Sequence, residues 1–549
     1  MVVSARSWLA NEGGKHIVLV NVVDASLGMT FLIYSTGPQY YYLHKMLGLG
    51  LCISRASASA LNLNCSLVLL PMCRSLLTFV RGTHKVSSRK MRRLLNKSKT
   101  FHVACGVAIC IFSVLHVSAH LVNVVNFSAS YSDEFPALNL ARYRGEVRDS
   151  IPGVTGLLLV LILFLMFISS LHCIRASYYE IFWYTHNLFI VFYAILMMHI
   201  VGGALKYQTN MEAHPPGCLR SNQSSTGHQL QEQEPAEDGG PRCGEEPHFQ
   251  HHYPQTWLWV SAPLCLYCAE RVYRYIRSID PVTIVAVVQH PCNVMELRML
   301  KRNFKARPGQ YILLNCPGVS SFENHPFTLT TCPFENKQTF GIHLRVVGDW
   351  TDRFTQLLLP PPKLGLEILP MVQQRRYPKC VIFVDGPFGS ASEDVFNYDV
   401  SLCVAGGIGV TPFACVLRAL LDGWTGVKLR RLYFVWVCRE LQSFYWFADL
   451  LCALHQKVRR NYFLFLYNNL GLATLGKQKE EKYQVLTPRL QIGRPRWKLL
   501  LSDIGRANTG KRVGVFCCGP KGISRTLHRL CNSNPHTGTT FEFNKETFS

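Results

Sequence analysis

Six long apolar stretches occupy the first half of the chain, at about 16–35, 46–72, 101–125, 153–174, 181–204 and 256–273. A bilayer core takes roughly 17–25 helical residues to cross, so each stretch predicts a membrane span. The first is the most polar, because Asn21 and Asp24 interrupt it. After Arg277 the pattern changes. Short strand-like runs, Val282–Val288, Tyr311–Leu314, Phe340–Val347 and Cys380–Val384, alternate with Gly and Pro, which predicts a small β-barrel over 279–396. From about 399 the order becomes strand (Val400–Val404), Gly-rich turn (Gly406–Gly409) and helix (Pro412–Leu421), with later strands at Leu432–Val437 and Val513–Cys517. That is an α/β nucleotide-binding pattern over 397–549. The expected architecture is a six-helix membrane domain (1–278), a β-barrel domain and an α/β domain.

Charge supports this division. The formal net charge is +23, but it gathers where the positive-inside rule places it and is no sign of nucleic-acid binding. Arg81, Lys85, Arg89, Lys90, Arg92, Arg93, Lys97 and Lys99 crowd the segment between the second and third spans; Arg271, Arg274 and Arg277 follow the sixth. Both regions are assigned to the cytosol, as are both termini. The basic segment also suits anionic lipid or the soluble half. The first fifteen residues carry no signal-peptide pattern, so the first span is expected to act as an uncleaved anchor. Residues 206–255, between spans five and six, fall on the other side. They are rich in Gln, Glu, Pro and Gly, which predicts little regular structure. Cys218 and Cys243 lie there and are placed where a disulfide can form. Asn126-Phe-Ser and Asn222-Gln-Ser are candidate glycan acceptors on that side, whereas Asn64-Cys-Ser falls inside a span.

Two spans each carry a pair of histidines, His102 with His116 and His186 with His199. The separations correspond to ~21 Å and ~20 Å of helical rise, which suits two haems stacked across a membrane, each iron taking an imidazole on both axial sides. A histidine at a helix end is often only interfacial, but a matched pair in each of two spans is harder to explain that way. His102 and His116 share a helix face. His199 stands about 140° from His186 on an ideal helix, so the second span needs a π-bulge or kink. His120 competes with His116 and is read as a neighbour of the outer haem.

The second half carries its own chemistry. Gly406, Gly407, Ile408 and Gly409, followed by Thr411 and Pro412, join a strand to a helix and offer backbone to a pyrophosphate at the helix N-terminus. Cys518, Gly519 and Pro520 end a later strand facing the same crevice. Arg439 could hold a ribose 2′-phosphate and favour NADPH over NADH, or be a surface ion-pair residue. His325, Pro326, Phe327 and Thr328 offer ring edges and a hydroxyl to a flavin, and Arg345, Gly348, Trp350 and Thr351 a clamp for its pyrophosphate.

In this order, the histidine pairs, His325-Pro-Phe-Thr, Gly348-Asp-Trp-Thr, Asp385-Gly-Pro-Phe-Gly, Gly406-Gly-Ile-Gly-Val-Thr-Pro-Phe and Cys518-Gly-Pro resemble the NADPH oxidase family over essentially the whole chain. The resemblance implies a ferric-reductase-like membrane domain with two haem b groups, His102 pairing with His186 and His116 with His199, on a ferredoxin-NADP reductase-like part binding FAD and NADPH. It places Arg55 and His120 near the outer haem, where oxygen is reduced, and Phe548 against the flavin. It implies p22phox, a small membrane subunit, as a partner, in the endoplasmic reticulum or plasma membrane; a homo-oligomer is left open. His214, in the 206–255 loop, is a candidate proton donor for making peroxide rather than superoxide. A ferric-chelate reductase shares every one of these motifs. A proton channel would leave the His325 and Gly406 motifs without a role.

Overall fold

The computed structural model describes residues 11, 14–82, 89–129, 151–199, 206–218, 243–252, 255–333, 338–359, 372–373, 380–423, 428–457, 462–468, 484–533 and 538–546. Asn222 and Phe548 lie outside them. The chain divides into two compact units, one of Ile17–Met72 and Thr100–Tyr267, the other of Met1–His16, Cys73–Lys99 and Cys268–Ser549.

The first unit is helical. Among the described residues three helices are long and apolar enough to cross a membrane: Ser98–Asn126, Gly153–Ser170 and Tyr179–His199. A fourth is counted if Pro38–Leu47 and Leu49–Met72, bent by 114°, form one span. This is fewer than the six expected. The sixth stretch does form the helix Thr256–Ile279, but its aromatic residues and the charged Glu270 and Arg271 dilute its hydropathy. The first lies in the helix Gly14–Thr36, of which Val22–Thr36 is an apolar run. Leu121, Leu157 and Phe164 point outward uncovered, as a lipid-facing surface requires. Residues 206–255 are more ordered than expected where they are described: Lys206–Gln208 pairs antiparallel with Phe249–His251, and Cys218 is bonded to Cys243. Asn126 sits within a helix with its amide on the Leu47 carbonyl at 2.9 Å, an awkward position for a glycan acceptor.

The second unit holds two sheets. Seven antiparallel strands run in the order Val372–Gln373, Val282–His290, Val294–Lys301, Thr339–Arg345, Ser320–Thr331, Tyr311–Cys316, Phe383–Phe388. Among the described residues its edge strands do not pair with each other, so this is a sheet and not plainly the closed barrel expected. Six parallel strands form the other: Leu490–Ile492, Tyr462–Asn468, Arg431–Cys438, Val400–Gly406, Arg512–Cys518, Thr540–Lys545. Strand order reverses on either side of Val400–Gly406, so the crevice at its carboxyl end is the topological switch point where such sheets bind ligands.

The basic segment folds against this unit as two short helices, Arg74–Gly82 and Arg89–Asn96. Arg81 is buried, donates to the Ser390 carbonyl and lies 3.7 Å from Glu393 and 3.9 Å from Asp394. Arg92 reaches Asp394 at 3.5 Å and Arg93 reaches Glu542 at 3.5 Å. Part of its charge is therefore paired with acidic residues of the same unit, which spacing alone left undecided.

Nearby, the Glu546 carboxyl is buried and takes hydrogen bonds from the Ser390 hydroxyl (2.7 Å) and from the Ser392 amide and hydroxyl (2.6 and 2.9 Å). Burial raises its pKa above the usual carboxylate value, against the pull of those donors. The folded state then holds a proton that the unfolded chain releases, so its contribution is full below about pH 4.3 and is lost as pH rises through the folded value. Glu546→Gln should flatten the decline of thermal midpoint as pH rises above the ordinary carboxylate range. An unchanged slope in the purified protein would refute this.

Candidate functional site

His102 and His116 lie on the helix Ser98–Ala129. His186 closes the helix Tyr179–His186 and His199 closes Phe189–His199. The kink that the thirteen-residue spacing demanded is at Asn187–Leu188, but it is a tightening rather than a π-bulge. There the Leu188 amide bonds to the Thr185 carbonyl and the Ile190 amide to the Asn187 carbonyl, three-residue steps that wind the chain further per residue.

The ring centroids of His102 and His186 are 6.1 Å apart. Two imidazoles sharing one iron, with metal–nitrogen bonds of about 2.0–2.1 Å, would sit at roughly that separation. His199 lies within charge–charge reach of His116 and His120. All four histidines engage Nδ1. In His102 it donates to the Val68 carbonyl (2.9 Å), in His116 to the Ser54 carbonyl (3.0 Å). In His199 it meets the Thr155 hydroxyl (2.8 Å), and in His186 the Ser170 hydroxyl (3.4 Å). A carbonyl accepts only from N–H, so in His102 and His116 the tautomer is set and Nε2 is left as the metal-binding lone pair. Nothing in sequence spacing signals these orienting partners. Beyond Gly106, four residues after His102, a Cβ would meet nothing within 4 Å, which leaves room for a flat ring. These residues fit haem.

The rings of His116 and His120 meet at 4.5 Å, and Arg55 lies within charge–charge reach of both. Arg55 stacks its guanidinium over Tyr34 at 5.2 Å, and its Nε is buried without a hydrogen-bond partner. That unpartnered donor suits an anionic group such as a haem carboxylate. His214 is buried, with Nε2 2.8 Å from the Tyr42 hydroxyl and Nδ1 2.8 Å from the Glu245 carbonyl. Both its nitrogens are used to brace the disulfide-bonded loop, rather than standing ready to deliver a proton.

In the other unit, His325 stacks on Trp350 (4.1 Å, 29°), and Trp350 stacks in turn on Phe354. Trp350 is buried, so it backs His325 from the core instead of clamping a phosphate. Phe327 lies 6.3 Å from it, and Pro326 pairs with Leu313 on the neighbouring strand. Gly348 caps the helix Asp349–Leu358, where the Thr351 hydroxyl oxygen accepts from the Val347 and Gly348 amides at 3.1 Å. Arg345 is exposed at the end of its strand, near this helix N-terminus. The Thr328 hydroxyl donates to that of Thr411 at 2.7 Å, tying the candidate flavin strand directly to the nucleotide turn.

The glycines of that turn divide their tasks. A Cβ at Gly409 would collide with the Cys518 carbonyl, and one at Gly406 would come within 2.6 Å of Pro520. Gly519 is equally pressed against Gly406. These three let two loops pack backbone to backbone at the switch point. Gly407, with φ +56° and open space beyond, is the one free for a ligand's approach; its carbonyl accepts from the Trp436 indole at 3.0 Å. Ile408 packs inward against the core, and Pro412 occupies the first turn of the helix Thr411–Leu421, where its missing N–H costs nothing. Arg439 is exposed just past the strand Arg431–Cys438, on the carboxyl-end side.

Comparison with known proteins agrees with this layout. Residues 58–197 match the ferric reductase like transmembrane component, 279–392 an FAD-binding domain and 398–532 the ferric reductase NAD binding domain. The chain is 59% identical over 580 residues to NADPH oxidase 4 of Homo sapiens, covering 100% of both chains. It is 36% identical over 589 residues to NADPH oxidase 1 of Mus musculus, covering 99% of this chain and 95% of that one. Among solved structures, a ferredoxin NADP+ reductase from Neisseria gonorrhoeae with bound FAD and NADP is similar at 12% identity and a TM-score of 0.34, covering 48% of this chain and 97% of that one.

Proposed function

The chain belongs to the NADPH oxidase family, and we propose that it moves electrons from cytosolic NADPH across a membrane to oxygen, releasing hydrogen peroxide or superoxide. The single observation that carries this reading is the set of four histidines in two spans with Nδ1 engaged in each. When bound, FAD turns a hydride into single electrons and two haems pass them on to oxygen. The residues supply the rest. His102 with His186 would hold the inner haem and His116 with His199 the outer. The carbonyls of Val68 and Ser54 keep Nε2 bare for the iron, and Arg55 answers an anionic edge. His325, Phe327 and Thr328 would position the flavin, with Arg345 and the Gly348 helix terminus on its pyrophosphate. Gly407 would admit the NADPH pyrophosphate. We read 279–396 as the FAD domain, 397–549 as the NADPH domain and the remainder as a six-span membrane domain partnered by p22phox.

The test is NADPH-driven oxygen consumption and peroxide formation in membranes carrying the chain with p22phox. Reduction of a ferric chelate without any oxygen product would move it to the metalloreductases, whose family models it also matches.

Arg439→Ala is expected to raise KM for NADPH by about tenfold, the equivalent of one lost charge-assisted hydrogen bond at roughly 1.5 kcal/mol, with NADH unaffected. Equal rises for both dinucleotides would place Arg439 elsewhere than on the 2′-phosphate.

A further inference from the structure

On the antiparallel sheet, three ionisable side chains from three adjacent strands converge outside any role described above. Glu296 stands opposite His343 in register, with Val288 across from it on the other side and His290 two residues further along that strand. His290 Nε2 is 3.2 Å from Glu296 Oε2, and His343 Nε2 is 3.9 Å from the same oxygen. The two imidazoles stack at 5.2 Å. The three ligand atoms all lie within 4.8 Å of one another.

The odd member is His343. It is only 6% exposed, and its Nε2 has no hydrogen-bond partner. Its Nδ1 is 2.9 Å from the Thr330 hydroxyl, which is itself 3.2 Å from the Gly341 carbonyl. With the hydroxyl's one proton on the carbonyl, its oxygen accepts from Nδ1–H. Nε2 is then a bare lone pair aimed at a carboxylate oxygen. In that tautomer a cation placed between the two would give the imidazole nitrogen its missing partner.

We propose that His290, Glu296 and His343 form a binding site for a divalent transition metal of the zinc class. Two imidazoles and one carboxylate are a donor set for zinc rather than for calcium or magnesium. Ligands about 2.0–2.1 Å from a tetrahedral ion lie about 3.3 Å apart, close to the 3.2 Å between His290 and Glu296 and a small contraction from 3.9 Å for His343. Thr330 orients one imidazole. Arg298 holds both oxygens of the carboxylate, Nε on Oε1 at 2.7 Å and an Nη on Oε2 at 3.2 Å, so an ion would share Oε2 with it. The charges of Arg298 and Arg418 face His343 and oppose a cation, which sets a limit on affinity. Entry is past His290, whose side chain is 12% exposed. The site also touches the nucleotide domain, since His343 packs on Phe447 at 4.6 Å and the Trp446 indole donates to the Pro291 carbonyl at 2.8 Å. An ion here would brace the joint between the FAD and NADPH domains.

The experiment uses the full chain, purified in detergent, stripped with a chelator and equilibrated with Zn²⁺ alone. Bound zinc is counted against haem and FAD, and its coordination is read by X-ray absorption at the zinc edge. One zinc per chain with a nitrogen and oxygen shell at about 2.0–2.1 Å is expected. His343→Gln and Glu296→Gln should bind zinc at least tenfold more weakly with FAD retained. His290→Gln, at the surface, should do the same, and decides the matter if a buried variant loses its flavin. No bound zinc, a sulfur shell at about 2.3 Å from the free cysteines, or undiminished zinc in His290→Gln would overturn the proposal.

Discussion

His116→Leu should reduce NADPH-driven peroxide and superoxide to the level of membranes lacking the chain, while FAD content and flavin bleaching by NADPH under anaerobic conditions stay at wild-type values. The split follows from where the parts lie. His116 belongs to the helical unit, whereas the flavin and nucleotide motifs all belong to the other. If His116 holds the outer haem as proposed, its loss would remove the place to which electrons are delivered and leave the dinucleotide crevice intact. His102→Leu should do the same and also abolish one haem absorbance component. Thr155→Val is the subtler control. It removes the hydroxyl 2.8 Å from His199 Nδ1 without touching a ligand atom, and changes to orienting partners of this kind cost about 10–100-fold in metal affinity or activity. If His116→Leu kept its oxygen product, oxygen would be reduced at the flavin and the histidine pairs would be structural.

Candidates for both ends of the proposed electron path stand out in the chain, for different reasons. Ligand histidines must recur at membrane depth, so their spacing survives as a pattern even without a structure. The Gly-rich turn is equally visible, because the close approach of its backbone to the Cys518-Gly-Pro loop excludes any side chain at Gly406 and Gly409. What spacing could not supply is what turns candidates into a site. The Val68 and Ser54 carbonyls come from a different helix, and any residue type can offer a carbonyl. Trp350 was misread for a related reason: in a motif it sits beside Gly348 and Thr351, yet helix periodicity turns it inward onto Phe354. The strands Val294–Lys301 and Ser320–Thr331 went unread because Glu296, Arg298 and His325 break the apolar alternation. One of those interruptions belongs to the proposed metal cluster and another to the candidate flavin motif, so polar side chains displaced the pattern where the sequence was hardest to read.

At the opposite end of the path, Gly409→Ala and Gly407→Ala should fail differently. The added Cβ at Gly409 lands on the Cys518 carbonyl, a backbone atom that cannot swing aside. Forcing two loops apart in a packed region costs about 1–3 kcal/mol, and it opens the switch-point crevice that must hold the dinucleotide. Gly409→Ala is therefore expected to lower thermal stability and to raise KM for NADPH by about tenfold or more, since each 1.4 kcal/mol is a factor of ten. Gly407 has room for a methyl, and its left-handed φ of +56° costs a non-glycine residue roughly 1–2 kcal/mol. Its side chain would point into the space assigned to the pyrophosphate. Gly407→Ala should raise KM for NADPH more steeply than its small loss of stability explains, and saturating NADPH should protect it less from heat than it protects the parent. Equal KM in Gly407→Ala and parent would mean that the phosphate lies away from the turn, leaving all four residues of the motif to packing.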